Sequence, residues 1–114
     1  MNYNNDFRYD LEIGKVGEKL LGEILEGKKV EVKNDLQALD TGNVFVEYES
    51  RGKASGISIS EADWYAFVLS GSNIRLIKTE ALKVICRKYL RTKRDTVGGD
   101  SSTSKGILLP ISDL

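Results

Sequence analysis

Two short stretches, KVEVKND and NVFVEYES, carry the residues best suited to chemistry. Read as strands, they alternate with a period of two. Glu31, Lys33 and Asp35 then share one face of the first, and Glu47 and Glu49 share one face of the second. Like charges placed close together across strands repel. A fold accepts that cost where positive charge sits between them. Mg²⁺ is such a charge, held by one or two carboxylates, retained waters and substrate phosphate oxygens. It would activate a water and stabilise charge building on a phosphate. The plain alternative is an antiparallel sheet with one solvated face, on which Glu and Lys simply alternate. Two details weigh against it. Phe45 has the parity of the charged residues, so that face is not uniformly exposed. Glu18 lies at the edge of a helical apolar stripe, beside Gly14 and Gly17, from where its carboxylate can reach toward a sheet.

The remaining composition narrows the chemistry. The 114 residues include no histidine and one cysteine, Cys86. That removes zinc sites, Ser–His–Asp triads, Cys–His pairs and any disulfide within the chain. Catalysis would fall to carboxylates, Lys, Arg, Tyr or a hard cation. Net charge is zero, but residues 1–50 hold eleven Asp/Glu against six Lys/Arg, and residues 51–114 reverse those numbers. An acidic cluster beside a basic flank suits carboxylates for a metal and cations for phosphates. It equally suits two halves that attract each other within one fold. With neither a signal peptide nor a long apolar run, the expectation is a cytoplasmic protein with no membrane partner.

These residues need elements to position them. Residues 1–9 read as a loose lead-in and 10–114 as a single domain. Asp10 is placed to cap a helix running to about Glu26. Ile13, Val16, Leu20, Leu21, Ile24 and Leu25 form its buried stripe, and Gly27 is its stop. Strands follow over Lys28–Asn34 and Asn43–Ser50, joined by LQALDTGN as an antiparallel hairpin with a long loop. After the basic joint RGKASG, Ser60 is read as the cap of a short helix. Strands come next near Tyr65–Leu69 and over Ile74–Lys78. Thr79 begins a last helix whose buried face carries Leu82, Ile85, Cys86 and Tyr89, and ILLPI closes the chain as a strand. The order predicts an α/β (α+β) fold, with a central mixed β-sheet flanked by helices.

At this point the sequence resembles the PD-(D/E)XK nuclease superfamily. The resemblance rests on Glu18 in GKVGEKLL, Asp35 at the end of VEVKND, and VEYES twelve residues later. It continues through SGISISEADWYAFVL and covers roughly residues 10–90. It implies a restriction-endonuclease-like fold and a Mg²⁺ cofactor, with Mn²⁺ as a substitute. Asp35 and Glu47 would bind the metal, with Glu18 assisting as an outer ligand or proton acceptor. Glu49 stands where the family usually has lysine. Lys33, at the same parity on the neighbouring strand, would supply the missing ammonium. Which of the two takes that role stays open. A second mapping uses Glu31-Val32-Lys33 as a literal ExK, and lacks a convincing preceding aspartate. Asp40 competes with Asp35 but reads better as a turn residue.

The basic residues complete the expectation. Arg51 and Lys53 follow the candidate site directly and would hold a phosphate. Arg87, Arg91, Lys93 and Arg94, with Lys88, surround Tyr89 in RKYLRTKR as a candidate phosphate track. The same residues also suit a helix C-terminus on a solvated face. The resemblance thus implies a Mg²⁺-dependent, structure-selective DNA endonuclease acting as a homodimer in repair, recombination or junction processing, and encoded by a phage or mobile element. The competing readings are a non-catalytic nucleic-acid-binding or inhibitory protein with a nuclease-like fold, and a protein-interaction domain.

Overall fold

A computed structural model describes residues 18–19, 21–23, 26–98 and 103–114. It is a mixed α+β fold built on two sheets. The elements run β1 (Val30–Asn34), α1 (Ala38–Thr41), β2 (Asn43–Ser50), β3 (Lys53–Ala54), β4 (Trp64–Ser70), β5 (Asn73–Lys78), α2 (Thr79–Arg87), β6 (Asp95–Gly98) and β7 (Ser104–Pro110), with 3₁₀ turns at Gly56–Ser58 and Ile111–Asp113. The first sheet has the order β1-β4-β5, with β1 parallel to β4 and β5 antiparallel to it. The second has the order β3-β2-β7-β6 and is antiparallel throughout.

The core follows from the alternation. Val44 and Val46 of β2, Ile107 and Leu109 of β7, Tyr65, Phe67 and Leu69 of β4, and Leu82 and Cys86 of α2 are buried in one cluster. Burial pushes the Cys86 thiol up to about 11, so it stays protonated as an apolar filler. On α2, the apolar face that the i, i+3, i+4 spacing requires is the one that packs inward.

The hairpin expected from residues 28–50 does not form. β1 pairs with β4, and β2 pairs with β7. The connecting residues explain the change. They contain the helical turn α1, which buries Ala38 and redirects the chain into a different sheet. The two strands meet through a side chain instead, the Asp35 carboxylate accepting the Phe45 backbone N–H at 3.3 Å.

The helix expected from Ser60 is also absent. The chain makes a 3₁₀ turn earlier, at Gly56–Ser58, and residues 60–63 lead into β4 without a helix. Ser60 still accepts a local backbone bond, from Ala62 N–H at 3.2 Å, as serines in turns do. Of the expected N-terminal stripe, Ile13, Val16, Leu20, Ile24 and Leu25 lie outside the described residues, as does the Asp10 cap. Leu21 is helical and exposed rather than buried.

Candidate functional site

The charged parity of β1 faces inward. Glu31 and Lys33 are the register partners of Tyr65 and Phe67, whose rings belong to the core side of β4. Across from them lies the Glu47 end of β2. Glu31, Lys33, Glu47, Gly56, Ser60 and Tyr65 line a cleft of about 400 Å³ between the two sheets. A smaller adjoining cavity of about 200 Å³ runs behind Lys33 and Glu47 to Phe45 and Phe67. Thus the two sheets, though not paired at this point, present an ammonium and two carboxylates to one opening.

Each charge there is held. The Lys33 ammonium lies 3.2 Å from the Glu31 carboxylate, with both side chains about half exposed. Glu47 accepts a hydrogen bond from the Ser55 hydroxyl at 2.9 Å. Its carboxyl is held below the usual carboxylate range, foremost by the Ser104 hydroxyl, then by Ser55 and the charge of Lys33, while partial burial opposes them. Glu47 is therefore ionised in the cleft at neutral pH.

The loop that carries Ser55 is fitted closely against β2. Ser55 N–H and the Ser58 hydroxyl both donate to the Tyr48 carbonyl, at 3.1 and 2.7 Å. Gly56 adopts φ +51, and a Cβ there would collide with the Glu47 carbonyl oxygen. Only glycine satisfies both conditions, so this residue determines how near the serine comes to the carboxylate.

Glu49 is not in the cleft. The ladder between β2 and β7 slips at Tyr48. Glu47 pairs with Gly106, whereas Glu49 pairs with Lys105. This β-bulge inserts one extra residue and reverses the parity that follows. Tyr48 and Glu49 then lie on the Lys105 side of the strand. Glu49 pairs with the Lys105 ammonium at 3.4 Å, and the Tyr48 hydroxyl donates to Asp95 at 2.5 Å. Asp95 also accepts the Arg91 backbone N–H, and these two bonds hold its carboxyl low. The Tyr48 phenol is correspondingly pushed up to about 12. The shared face expected for Glu47 and Glu49 is corrected accordingly.

Phe45 does lie on the Glu47 side. Its ring covers Gly106 and Gly98 so closely that a Cβ on Gly106 would stand 2.6 Å from it. Asp35 follows the end of β1, two residues after Lys33, and its carboxylate accepts the Phe45 N–H of β2. Glu18 is helical and exposed. Among the described residues, no three acidic, Cys or His side chains stand close enough to hold an ion together.

The basic residues divide into two kinds. Arg51 and Lys53 are exposed in and beside the tight turn joining β2 to β3. Arg87, Lys88, Arg91 and Lys93 are exposed after the core face of α2 ends. Arg94 is engaged internally. Its guanidinium donates to the Asn43 side-chain oxygen at 2.7 Å and to the Leu108 carbonyl at 2.9 Å, over the Tyr89 ring. Sequence reasoning gave neither Ser55 nor Ser104 a role beside Glu47. Both sit in Gly/Ser-rich stretches where hydroxyls are ordinary loop residues. Their partner becomes visible only once the strands are placed.

Among the described residues no helix is long and apolar enough to cross a membrane. No family model matches the chain, and no curated protein or solved structure matches it either.

Proposed function

We propose that the chain is a metal-dependent phosphodiester hydrolase acting on DNA, of the restriction-endonuclease-like type, working as a homodimer. The observation that carries this reading is the cleft, where Lys33 and an ionised Glu47 face one opening from two different sheets. The donor chemistry fits a hard cation, because the groups available are carboxylate and hydroxyl oxygens with no histidine. Glu47 and Asp35 would hold Mg²⁺, which when bound supplies Lewis-acid charge to the phosphate. Lys33 orients the attacking water by donating to its oxygen. Glu31, already 3.2 Å from Lys33, accepts the proton that water releases. The water oxygen bonds to phosphorus, one P–O bond breaks in line, and the leaving oxygen is protonated by solvent. Arg51 and Lys53 contact neighbouring phosphates, and their loss weakens binding evenly across sequences.

One observation favours a second reading, a nucleic-acid-binding protein without cleavage. Glu49 is turned away and paired with Lys105, so the cleft lacks one of the carboxylates expected in it.

A cleavage assay separates the two. The purified chain is incubated with Mg²⁺ or Mn²⁺ on linear duplex, single-stranded and branched DNA and on RNA, beside Glu47→Gln and Asp35→Asn. Metal-dependent cleavage lost in Glu47→Gln supports the hydrolase and identifies its substrate form. DNA binding without cleavage under any condition moves the assignment to the binding protein.

A further inference from the structure

A separate pocket of about 320 Å³ opens between α2, the 3₁₀ turn at Gly56–Ser58 and strands β2 and β7. Its depth is apolar. Ile57, Cys86 and Ile107 line it, each 6% exposed or less, and Leu90 stands at the mouth, 44% exposed. Of the residues lining it, only Ile57 also borders a cavity beside Glu47. The volume is at the lower end of small-molecule sites, which pair an apolar interior with a few placed polar groups.

The polar groups of the wall are already used. The Ser58 hydroxyl donates to the Tyr48 carbonyl, and the Tyr48 hydroxyl donates to Asp95. Asp95 is further satisfied by the Arg91 backbone N–H. The Cys86 thiol is at most a weak donor. A sugar or a nucleobase would give up its bonds to water here and find no partner in the wall, which is costly for each polar group. A hydrocarbon body has no such bonds to lose and gains by leaving water.

The charges at the mouth are of a different kind. Lys83, Cys86 and Arg87 fall at i, i+3 and i+4 on one side of α2, so two cations flank the apolar wall. The Lys83 side chain is only 28% exposed. Its ion-pair partner among the described residues is Glu80, at 3.6 Å and itself 86% exposed. Such a pair contributes little, so the ammonium can turn to a ligand. Arg87 is exposed and has no ion pair among the described residues. A planar guanidinium beside an ammonium suits one carboxylate.

We propose that this pocket binds a small amphipathic carboxylate, its hydrocarbon body against Ile57, Cys86 and Ile107 and its anionic group held by Lys83 and Arg87. The site is independent of the reaction assigned to the cleft, because neither Glu47 nor Lys33 lines it.

The test titrates the full chain with octanoate and with naphthoate, beside the neutral octanol and naphthalenemethanol, and follows methyl resonances. Saturable shifts are expected at Ile57, Leu90 and Ile107 with at least one acid, and the tighter acid identifies a chain or a ring as the body. The matching alcohol is expected to bind about tenfold more weakly, as loss of a charge-assisted hydrogen bond implies. The double variant Lys83→Gln with Arg87→Gln should weaken the acid by a similar factor, with the Val44 and Leu109 methyls reporting that it is folded. If it fails that check, the comparison of acid with alcohol on the parent chain decides. No saturable shift at the three methyls with either acid would overturn the proposal. So would equal affinity for acid and alcohol, affinity unchanged in the folded double variant, or shifts confined to the exposed Ile74 and Leu76 of β5. Thymidine monophosphate that shifts the same methyls at lower concentration than either acid would overturn it too, and would assign the pocket to a nucleotide.

Discussion

Glu47 and Glu49 stand two positions apart on one strand, yet they live in different places. Glu47 opens onto a cleft between two sheets. Hydroxyls hold it ionised, and a lysine from another sheet faces it. Glu49 lies on the other side, in a closed set of satisfied contacts with Lys105, beside the Tyr48–Asp95 bond. Both are carboxylates near an ammonium, so charge pairing alone does not mark a site. What separates them is what else is present. The Glu47 carboxylate itself lines a cleft with room for a ligand and rests against a loop whose geometry requires glycine. The Glu49 side is an ordinary means of holding β2, β6 and β7 together.

The comparison is broken most directly by exchanging the roles of the two glutamates. If the cleft hydrolyses phosphodiesters, Glu47→Gln loses at least about 100-fold in metal-dependent cleavage rate, the low end of what a positioned polar group contributes. Glu49→Gln keeps its rate within about twofold, because a surface-type ion pair contributes about 0–1 kcal/mol. Equal losses in both would place the chemistry on the wrong side of the bulge. Lys33→Met groups with Glu47→Gln in the same assay, and Lys105→Met with Glu49→Gln.

The loop that holds Glu47 supplies the next largest effect. Gly56→Ala must place a Cβ against the Glu47 carbonyl at a positive φ. A destabilisation of about 2–3 kcal/mol is expected in urea unfolding, larger than the φ effect alone. The loop yields by moving Ser55 away from Glu47, so remaining activity falls further than stability does. Gly52→Ala offers the control. It also has a positive φ, but nothing lies within 4 Å of its added Cβ, and its cost is the smaller one.

The bulge also explains how far the sequence could be read. Period-two alternation marked β1 and β2, and the apolar spacing marked α2, because burial of one face imposes those periods locally. Alternation says which residues share a face; it does not say which strand lies alongside. The pairing of β1 with β4 depends on the α1 turn, and a four-residue helix leaves too few positions to show a period. The bulge at Tyr48 was illegible for a sharper reason. Phe45, Glu47 and Glu49 continue an unbroken alternation in sequence, so the extra residue exists only relative to β7. That Lys33 and Glu47 belong together was legible as charge at one parity, and both line one cleft. The hydroxyls that tune Glu47 were not, because Ser55 and Ser104 come from loop-like stretches on either side of β2.

On the Glu49 side the expected effects concern stability. Tyr48→Phe removes the hydroxyl that bridges β2 to β6 through Asp95. A loss of about 1 kcal/mol is expected, the usual net value of one intramolecular hydrogen bond, with cleavage unchanged. A larger loss in activity than in stability would mean that this side contributes to the site after all.

The smallest effect is a pH shift, and its sign distinguishes the two sides. Glu47 and Asp95 both have carboxyls held below their ordinary range. A group whose folded pKa is depressed stabilises the fold above its unfolded pKa, and that contribution disappears as pH falls through the folded value. Both therefore contribute fully at neutral pH and fade only in acid. Their partners differ. Ser104 is the foremost cause for Glu47, whereas the Arg91 backbone N–H and the Tyr48 hydroxyl act on Asp95. Ser104→Ala should raise the Glu47 titration, read by NMR of its side-chain carboxyl, and leave Asp95 in place. Tyr48→Phe should do the converse. In the cleavage assay, Ser104→Ala should then move the acid limb of the pH profile upward while Tyr48→Phe leaves it fixed. An acid limb that follows Asp95 instead of Glu47 would show that the ionisation governing activity is one of fold stability, and that the cleft carboxylate is not the group the reaction requires.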